Sequence, residues 1–333
     1  MALLTVLEQL PDGLLEQPAH ELHQYLSGPT LIHLPGRRTR PLFVSVLLHG
    51  NETTGWEAVR QYLLAHQQQL LPRSLSLFIG NISAAREHKR VLEGQPDYNR
   101  VWSAHSSEEG LMMTEILRQM RGKQVFASLD VHNNTGKNPH YACINRKEHD
   151  FFQLAHLFSR TVVYFIKPDT VQSMAFSKLC PAVTVECGQP EQKHGVEHAV
   201  NYIQRVMQLE QFDNKALHPE DFELYHTMAI IKVPETAGIS FNAQKPEDIT
   251  FAADIDNLNF TALEAGTRLA DIHSENSNLL AIDEQGQDVA ERYFSYDNGE
   301  IRTRIPLMPS MLTTKEEIIR QDCLCYMMEK IEI

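Results

Sequence analysis

The stretch that most constrains this chain runs from Leu42 to Gly55, LFVSVLLHGNETTG. Its first half, Leu42 to Leu48, is an apolar run that reads as a strand buried on both faces. The run stops at His49-Gly50-Asn51-Glu52, and a helix-like segment begins at Trp56. In open α/β sheets ligands sit in the crevice beyond the carboxyl ends of the strands, which is where this loop falls. His49 and Glu52 offer an imidazole nitrogen and a carboxylate, a donor pair that suits zinc. Gly50 is expected to turn the backbone sharply enough for both side chains to meet. A histidine finishing a strand and an acid opening a helix account equally well for this stretch alone.

Strand and helix patterns alternate on either side. Thr30 to Leu34 reads as a strand, Gly36 to Arg40 as a basic turn, and Trp56 to Gln69 as an amphipathic helix. Strands are expected at Leu75–Ile79, Val125–Val131, Tyr141–Ile144, Thr161–Ile166 and Ala182–Val185. Helices are expected at Glu108–Met120, Phe151–Arg160 and His194–Phe212. Leu3, Leu4, Leu7 and Leu10 lie at helical spacing, which predicts a short helical lead-in over residues 1–28. The polar segment from Ile82 to Trp102, about twenty residues with little periodicity, reads as a loop that is either functional or disordered. This alternation implies an α/β sheet with helices on both faces. After Lys215 the pattern changes to short strands among turn signals such as Asp297-Asn298-Gly299. The expected division is therefore an α/β domain over 1–215 and a β-rich domain over 216–333.

A net charge of −13 argues against nucleic acid or an anionic membrane as partner. No apolar run reaches the length of a membrane span, and the N-terminal stretch lacks the basic start of a signal peptide. Five cysteines, odd in number and irregularly spaced, fit reduced thiols and a cytoplasmic setting. No GxGxxG, GxxxxGK[ST] or serine nucleophile elbow occurs.

Three further clusters repeat the theme of polar residues ending apolar strands. Asp130-Val131-His132-Asn133 supplies a second strand-end histidine, with Asp130 on the same side as His132 and placed to orient it. Two histidines and one carboxylate give zinc three protein ligands and leave the fourth position for water, as in catalytic sites. Glu186, in Thr184-Val185-Glu186-Cys187-Gly188, is placed to take a proton from that water. As a structural residue it would merely cap the following turn. The long loop carries Arg90 and then Asp97-Tyr98-Asn99-Arg100. Arg90 suits a developing oxyanion, and Asn99 with Arg100 suits a substrate carboxylate. The other histidines, among them His88, His140, His194 and His198, show no metal spacing in the sequence, and ordinary loop roles are expected for them.

In this order the four clusters resemble the succinylglutamate desuccinylase/aspartoacylase family, within the broader zinc-carboxypeptidase clan. Asp256–Phe260, Gly266–Ala270 and Tyr326–Ile331 are similar to that family's β-rich C-terminal domain. The resemblance implies a mixed, mostly parallel α/β sheet flanked by helices, of zinc-carboxypeptidase type, followed by the smaller β-rich domain. It implies one zinc per chain held by His49, Glu52 and His132, with Glu186 as general acid and base activating a zinc-bound water. Arg90 would polarise the scissile carbonyl, and Asn99 and Arg100 would hold the substrate. The reaction implied is hydrolysis of a small, anionic N-acyl amino acid, and a homo-oligomer is expected by analogy. A metallocarboxypeptidase or a non-catalytic metal-containing binding protein are the alternatives. The chain departs from the family at Asn81-Ile82, where Asn-Pro is common, in a longer interval from Arg90 to Asn99, at Trp102, and across Asn133–Tyr141.

Overall fold

The computed structural model describes residues 3–104, 106–213, 218–274 and 277–332. The expected boundary at 215/216 lies outside the described residues. The chain forms two compact units, Met1–Asn133 with His140–Glu223, and Asn134–Pro139 with Leu224–Ile333.

The first unit is built on eight strands: β1 (Thr5–Leu7), β2 (Thr30–Leu34), β3 (Gly36–Val46), β4 (Leu71–Ile79), β5 (Ala127–His132), β6 (Tyr141–Ile144), β7 (Thr161–Tyr164) and β8 (Ala182–Glu186). Their order across the sheet is β1-β2-β4-β3-β5-β8-β6-β7. The β3, β4, β5 and β8 neighbours all pair parallel, while β2 runs antiparallel to β4 and β6 antiparallel to β8. The helices are α1 (Thr54–Ala65), α2 (Ile82–Arg86), α3 (Glu108–Gly122), α4 (His149–His156), α5 (Gln172–Phe176) and α6 (Lys193–Gln208). Successive strand residues point to opposite faces, and every residue from Leu42 to Val46 and from Ala127 to His132 is buried. Both faces of the central sheet are therefore covered, as the apolar run predicts. Leu42, Phe43, Val44 and Val46 are wholly buried, and each such side chain contributes about 2 kcal/mol.

The structure corrects three expectations. The lead-in is not helical: β1 pairs in parallel with β2, and two short 3-10 turns, Leu14–Glu16 and Ala19–Gln24, follow. Gly13, in the left-handed region at φ 79, and the adjacent prolines break any helix there. The basic turn is instead the first half of β3, where Gly36 and Arg38 register with Leu71 and Arg73 of β4. The long loop contains α2, because Asn81 caps it by accepting from the Ala84 amide at 3.1 Å.

The second unit contains β9 (Glu223–Lys232), β10 (Ile239–Ser240), β11 (Ile249–Phe251), β12 (Arg268–Ile272), β13 (Leu280–Asp283), β14 (Phe294–Asp297), β15 (Glu300–Thr303), β16 (Met308–Ser310) and β17 (Cys325–Lys330). One sheet has the order β10-β11-β12-β15-β14, and β9 pairs antiparallel with both β13 and β17. A separate core including Ile231, Phe251, Phe294, Ile301 and Met327 closes this unit. Segment 134–139 is held inside it: Met311 N donates to Asn138 Oδ1 at 2.9 Å, and Lys137 Nζ to Asn257 Oδ1 at 2.9 Å. No helix among the described residues is long and apolar enough to cross a membrane.

Candidate metal centre

All the expected site residues lie in the first unit, at or beyond the carboxyl ends of β3, β5 and β8 and in the segment after α2. Strand β3 ends at Val46, so His49 sits on a loop rather than on the strand end. Leu47 crosses into that loop at φ 55, a left-handed conformation that costs a branched-chain residue about 1–2 kcal/mol. The turn is pinned by Asn81 N donating to Leu47 O at 2.6 Å and Gly80 N to Val46 O at 3.0 Å. Gly50 does not adopt a positive φ; its requirement is space. A Cβ there would lie 2.2 Å from Ala85 N and 2.3 Å from Ala84 C, so α2 and the His49 loop can meet only at a glycine.

This loop brings His49 and Glu52 to His132. Ligand atoms of the three buried residues lie within 4.8 Å of one another. His49 Nδ1 is 2.8 Å from Glu52 Oε1, and His132 Nδ1 is 2.6 Å from Glu52 Oε2. The outer nitrogens are also engaged. His49 Nε2 lies 3.0 and 3.2 Å from the oxygens of Asp97, and His132 Nε2 lies 2.9 Å from Asp130 Oδ2. An ionised carboxylate only accepts, so without a metal both nitrogens of each ring face acceptors; a cation bound between the rings and Glu52 would displace the Nδ1 protons and leave those on Nε2. That leaves both Nδ1 lone pairs for a metal, the arrangement found around metal-binding histidines. Asp130 is itself fixed by Ser45 Oγ at 2.7 Å, its register partner on β3.

The charges fit a divalent cation. Three carboxylates, Glu52, Asp97 and Asp130, face the Arg90 guanidinium, with Arg100 also acting on Asp97, so negative charge remains in excess for a cation to neutralise. Arg90 Nη2 donates to Asp97 Oδ2 at 3.1 Å, and its Nη1 is 3.5 Å from Glu52 Oε1. Burial opposes charge throughout the cluster, but His49 and His132 hold the Glu52 carboxyl far below its ordinary range. Likewise burial works against protonating His132, and Asp130 and Glu52 overcome it to raise this imidazole well above its usual value. For His49, burial and the Arg90 charge are outweighed by Asp97 and Glu52. The two buried imidazoles thus take up protons where the donor set would hold a metal.

Glu186 is the register partner of His132 on the adjacent parallel strand, so both side chains leave the same face of the sheet. Burial pushes its carboxyl up to about 7; the nearby His132 opposes the shift, while Glu52 and Asp130 reinforce it. A buried carboxyl poised near neutrality is what a proton shuttle requires. Asn133 ties the loops together: its Nδ2 donates to Thr54 Oγ1 and to Gly188 O, both at 2.9 Å, and its backbone N donates to Glu52 Oε2 at 3.1 Å.

Asn99 and Arg100 enter the same region by different routes. Asn99 Oδ1 accepts from Gln172 N at 2.9 Å, and its Nδ2 donates to Asp130 Oδ2 at 3.4 Å, with His132 Nε2 3.1 Å away. Its amide therefore braces the Asp130–His132 pair. Arg100 Nη1 donates to Asn99 O at 3.0 Å. Trp102 is a core anchor, edge-on to Phe78 and Phe176. Asp97, quoted in the sequence only as part of a motif, is the residue sequence reasoning missed. Nothing in spacing says that it reaches His49.

The geometry agrees with what comparisons find. Residues 39–209 match the succinylglutamate desuccinylase/aspartoacylase catalytic domain. A succinylglutamate desuccinylase of Shewanella frigidimarina is 25% identical over 76% of this chain and 78% of its own. The crystal structure of murine aminoacylase 3 superposes with a TM-score of 0.56 at 16% identity, covering 89% of this chain and 97% of that one. A succinylglutamate desuccinylase from Chromobacterium violaceum gives 0.56 at 15% identity, over 89% and 86% of the two chains. With its catalytic-domain match spanning half the chain, this protein belongs to the succinylglutamate desuccinylase/aspartoacylase family.

Proposed function

We propose that this protein is a zinc-dependent amidohydrolase that removes the acyl group from a small, anionic N-acyl amino acid in the cytoplasm. The observation that carries the reading is the convergence of His49 Nδ1, His132 Nδ1 and the Glu52 carboxylate, with Asp97 and Asp130 holding the outer nitrogens. None of the five buried cysteines forms a disulfide, in keeping with a reducing compartment.

His49, Glu52 and His132 would hold one zinc per chain, which supplies a Lewis acid and acidifies a water toward neutral pH. Glu186, its carboxyl near neutrality, takes one proton from the attacking water and returns it to the departing amine nitrogen. Arg90, mostly buried beside Glu52, places a fixed cation where the carbonyl oxygen gains negative charge. Arg100 is assigned to the substrate carboxylate, a planar anion that a guanidinium fork recognises, while the Asn99 amide, bonded to Gln172 N and Asp130, serves it indirectly by bracing the Asp130–His132 pair. The products are the free acid of the acyl group and the amino acid.

The test uses purified protein. Metal content is measured, and hydrolysis of N-succinylglutamate, N-acetylaspartate and short peptides is followed with and without chelator. About one tightly bound zinc with chelator-sensitive release of either amino acid supports the proposal. Release of C-terminal residues from peptides in place of deacylation would make it a carboxypeptidase. Metal without turnover on any amide would leave a binding protein.

A further inference from the structure

The fold gathers three histidines that the sequence leaves unrelated. His194 and His198 are four residues apart on α6 and share one helical face. His140, which precedes β6, lies against both: its ring centroid is 5.3 Å from that of His194 and 4.8 Å from that of His198. We propose that His140, His194 and His198 form a second binding site for a divalent transition metal such as zinc, distinct from the His49–Glu52–His132 centre.

The hydrogen bonds of two of these rings support it. His198 Nε2 lies 2.8 Å from the Phe158 carbonyl, so that nitrogen donates and Nδ1 keeps its lone pair. His140 bonds through one ring nitrogen to the Cys187 backbone, and its buried Nε2 has no hydrogen-bond partner. A ring whose N–H is spent on a backbone carbonyl has its tautomer and orientation fixed for coordination by the other nitrogen. Burial, aided by His198 and His194, depresses His140 to about 4, so it is neutral at pH 7 and offers a lone pair. Burial lowers His198 too. His194 is exposed, and its ring stacks on that of His140 at an interplanar angle of 21°. Among the described residues only the His49 group already has its ligand atoms within 4.8 Å, so binding here requires side-chain rotation, for which the exposed His194 is the ring least enclosed.

Position tells what such an ion would touch. Gly188, at φ 73, presses on this cluster: a Cβ there would lie 3.3 Å from His140 Nε2. Gly188 follows Glu186-Cys187, and Tyr141 is the register partner of Glu186. An ion held by these three imidazoles would clamp α6 to the turn that follows the Glu186 strand. Imidazole ligands with an open fourth position favour zinc, nickel or copper.

The experiment titrates metal-stripped protein with zinc, using the His132→Ala variant to remove the first centre. One equivalent should remain in that background, and adding His194→Ala should weaken it at least tenfold. In the otherwise native chain His194→Ala, a surface change, should reduce two equivalents to one and leave turnover at one equivalent unaltered. His198→Gln should act like His194→Ala. Zinc binding in the His132→Ala background that neither change affects would overturn the proposal, as would a single equivalent in the native chain. Because the background lacks the first centre, failure of the deacylase reading does not alter this outcome.

Discussion

Asp97→Asn tests how the site is held together. The Asp97 carboxylate accepts from His49 Nε2, from Arg90 Nη2 at 3.1 Å and from Asn99 N at 2.7 Å. Asparagine is nearly isosteric and keeps one acceptor oxygen, so His49 retains a partner. The charge is lost, and two charge-assisted bonds become neutral ones, each weaker by about 1 kcal/mol. A total of about 1.4–2.7 kcal/mol corresponds to a ten- to hundredfold weaker zinc affinity, the range seen when a carboxylate behind a ligating histidine is removed. The assay competes stripped protein against a chromophoric chelator near neutral pH. A zinc Kd within threefold of the parent would refute the view that the Asp97 charge strengthens His49 as a ligand.

Glu186→Gln should lower turnover by about 10²–10⁴-fold, the usual contribution of a general acid–base group, while zinc content measured by atomic absorption stays equal to the parent's. In metal-stripped protein the same variant gives a pH signature, because the folded carboxyl titrates near 7 and the unfolded one near its ordinary 4.5. The folded state holds the proton longer, so the native chain loses stability relative to the variant as pH rises from 4.5 to 7. Parallel urea midpoints for the two proteins at pH 5 and pH 8 would contradict this. Gly50→Ala should cost about 1–3 kcal/mol by forcing α2 from the His49 loop, read as a lower Tm together with weaker zinc binding; an unchanged Tm would show that the loop adjusts freely. Arg73→Met removes a buried guanidinium that donates to Arg40 O at 2.9 Å and Leu209 O at 2.7 Å, just beyond α6, and stacks 3.5 Å over Phe126. Leaving those carbonyls unpaired should destabilise by about 2–4 kcal/mol in urea unfolding, and a change under 0.5 kcal/mol, the ordinary scatter of surface substitutions, would refute it.

Short-range pattern was legible where one physical preference dominated. The apolar runs of β3, β5 and β8 could satisfy themselves only inside a covered parallel sheet, and Tyr141–Ile144 is a strand with the expected bounds. The lead-in misled because leucines at helical spacing also serve a strand edge and two 3-10 turns once Gly13 and the prolines interrupt them. Gly36 to Arg40 looked like a turn because β4 supplies the pairing partner from more than thirty residues away.

For the site, the sequence by itself determined the donor types: two imidazoles and a carboxylate on loops beyond buried strands, with Glu186 at the end of a third strand. Donor chemistry is a property of each side chain and needs no neighbours. Tertiary structure decided which nitrogen of each histidine would face a metal, because that depends on Asp97 and Asp130 occupying the other. It decided that Gly50 serves close approach rather than a turn, since Ala84 and Ala85 arrive from a different segment. It also brought His140 to His194 and His198 across more than fifty residues. Tautomer, clearance and clustering are relations between distant parts of the chain, and only folding supplies them.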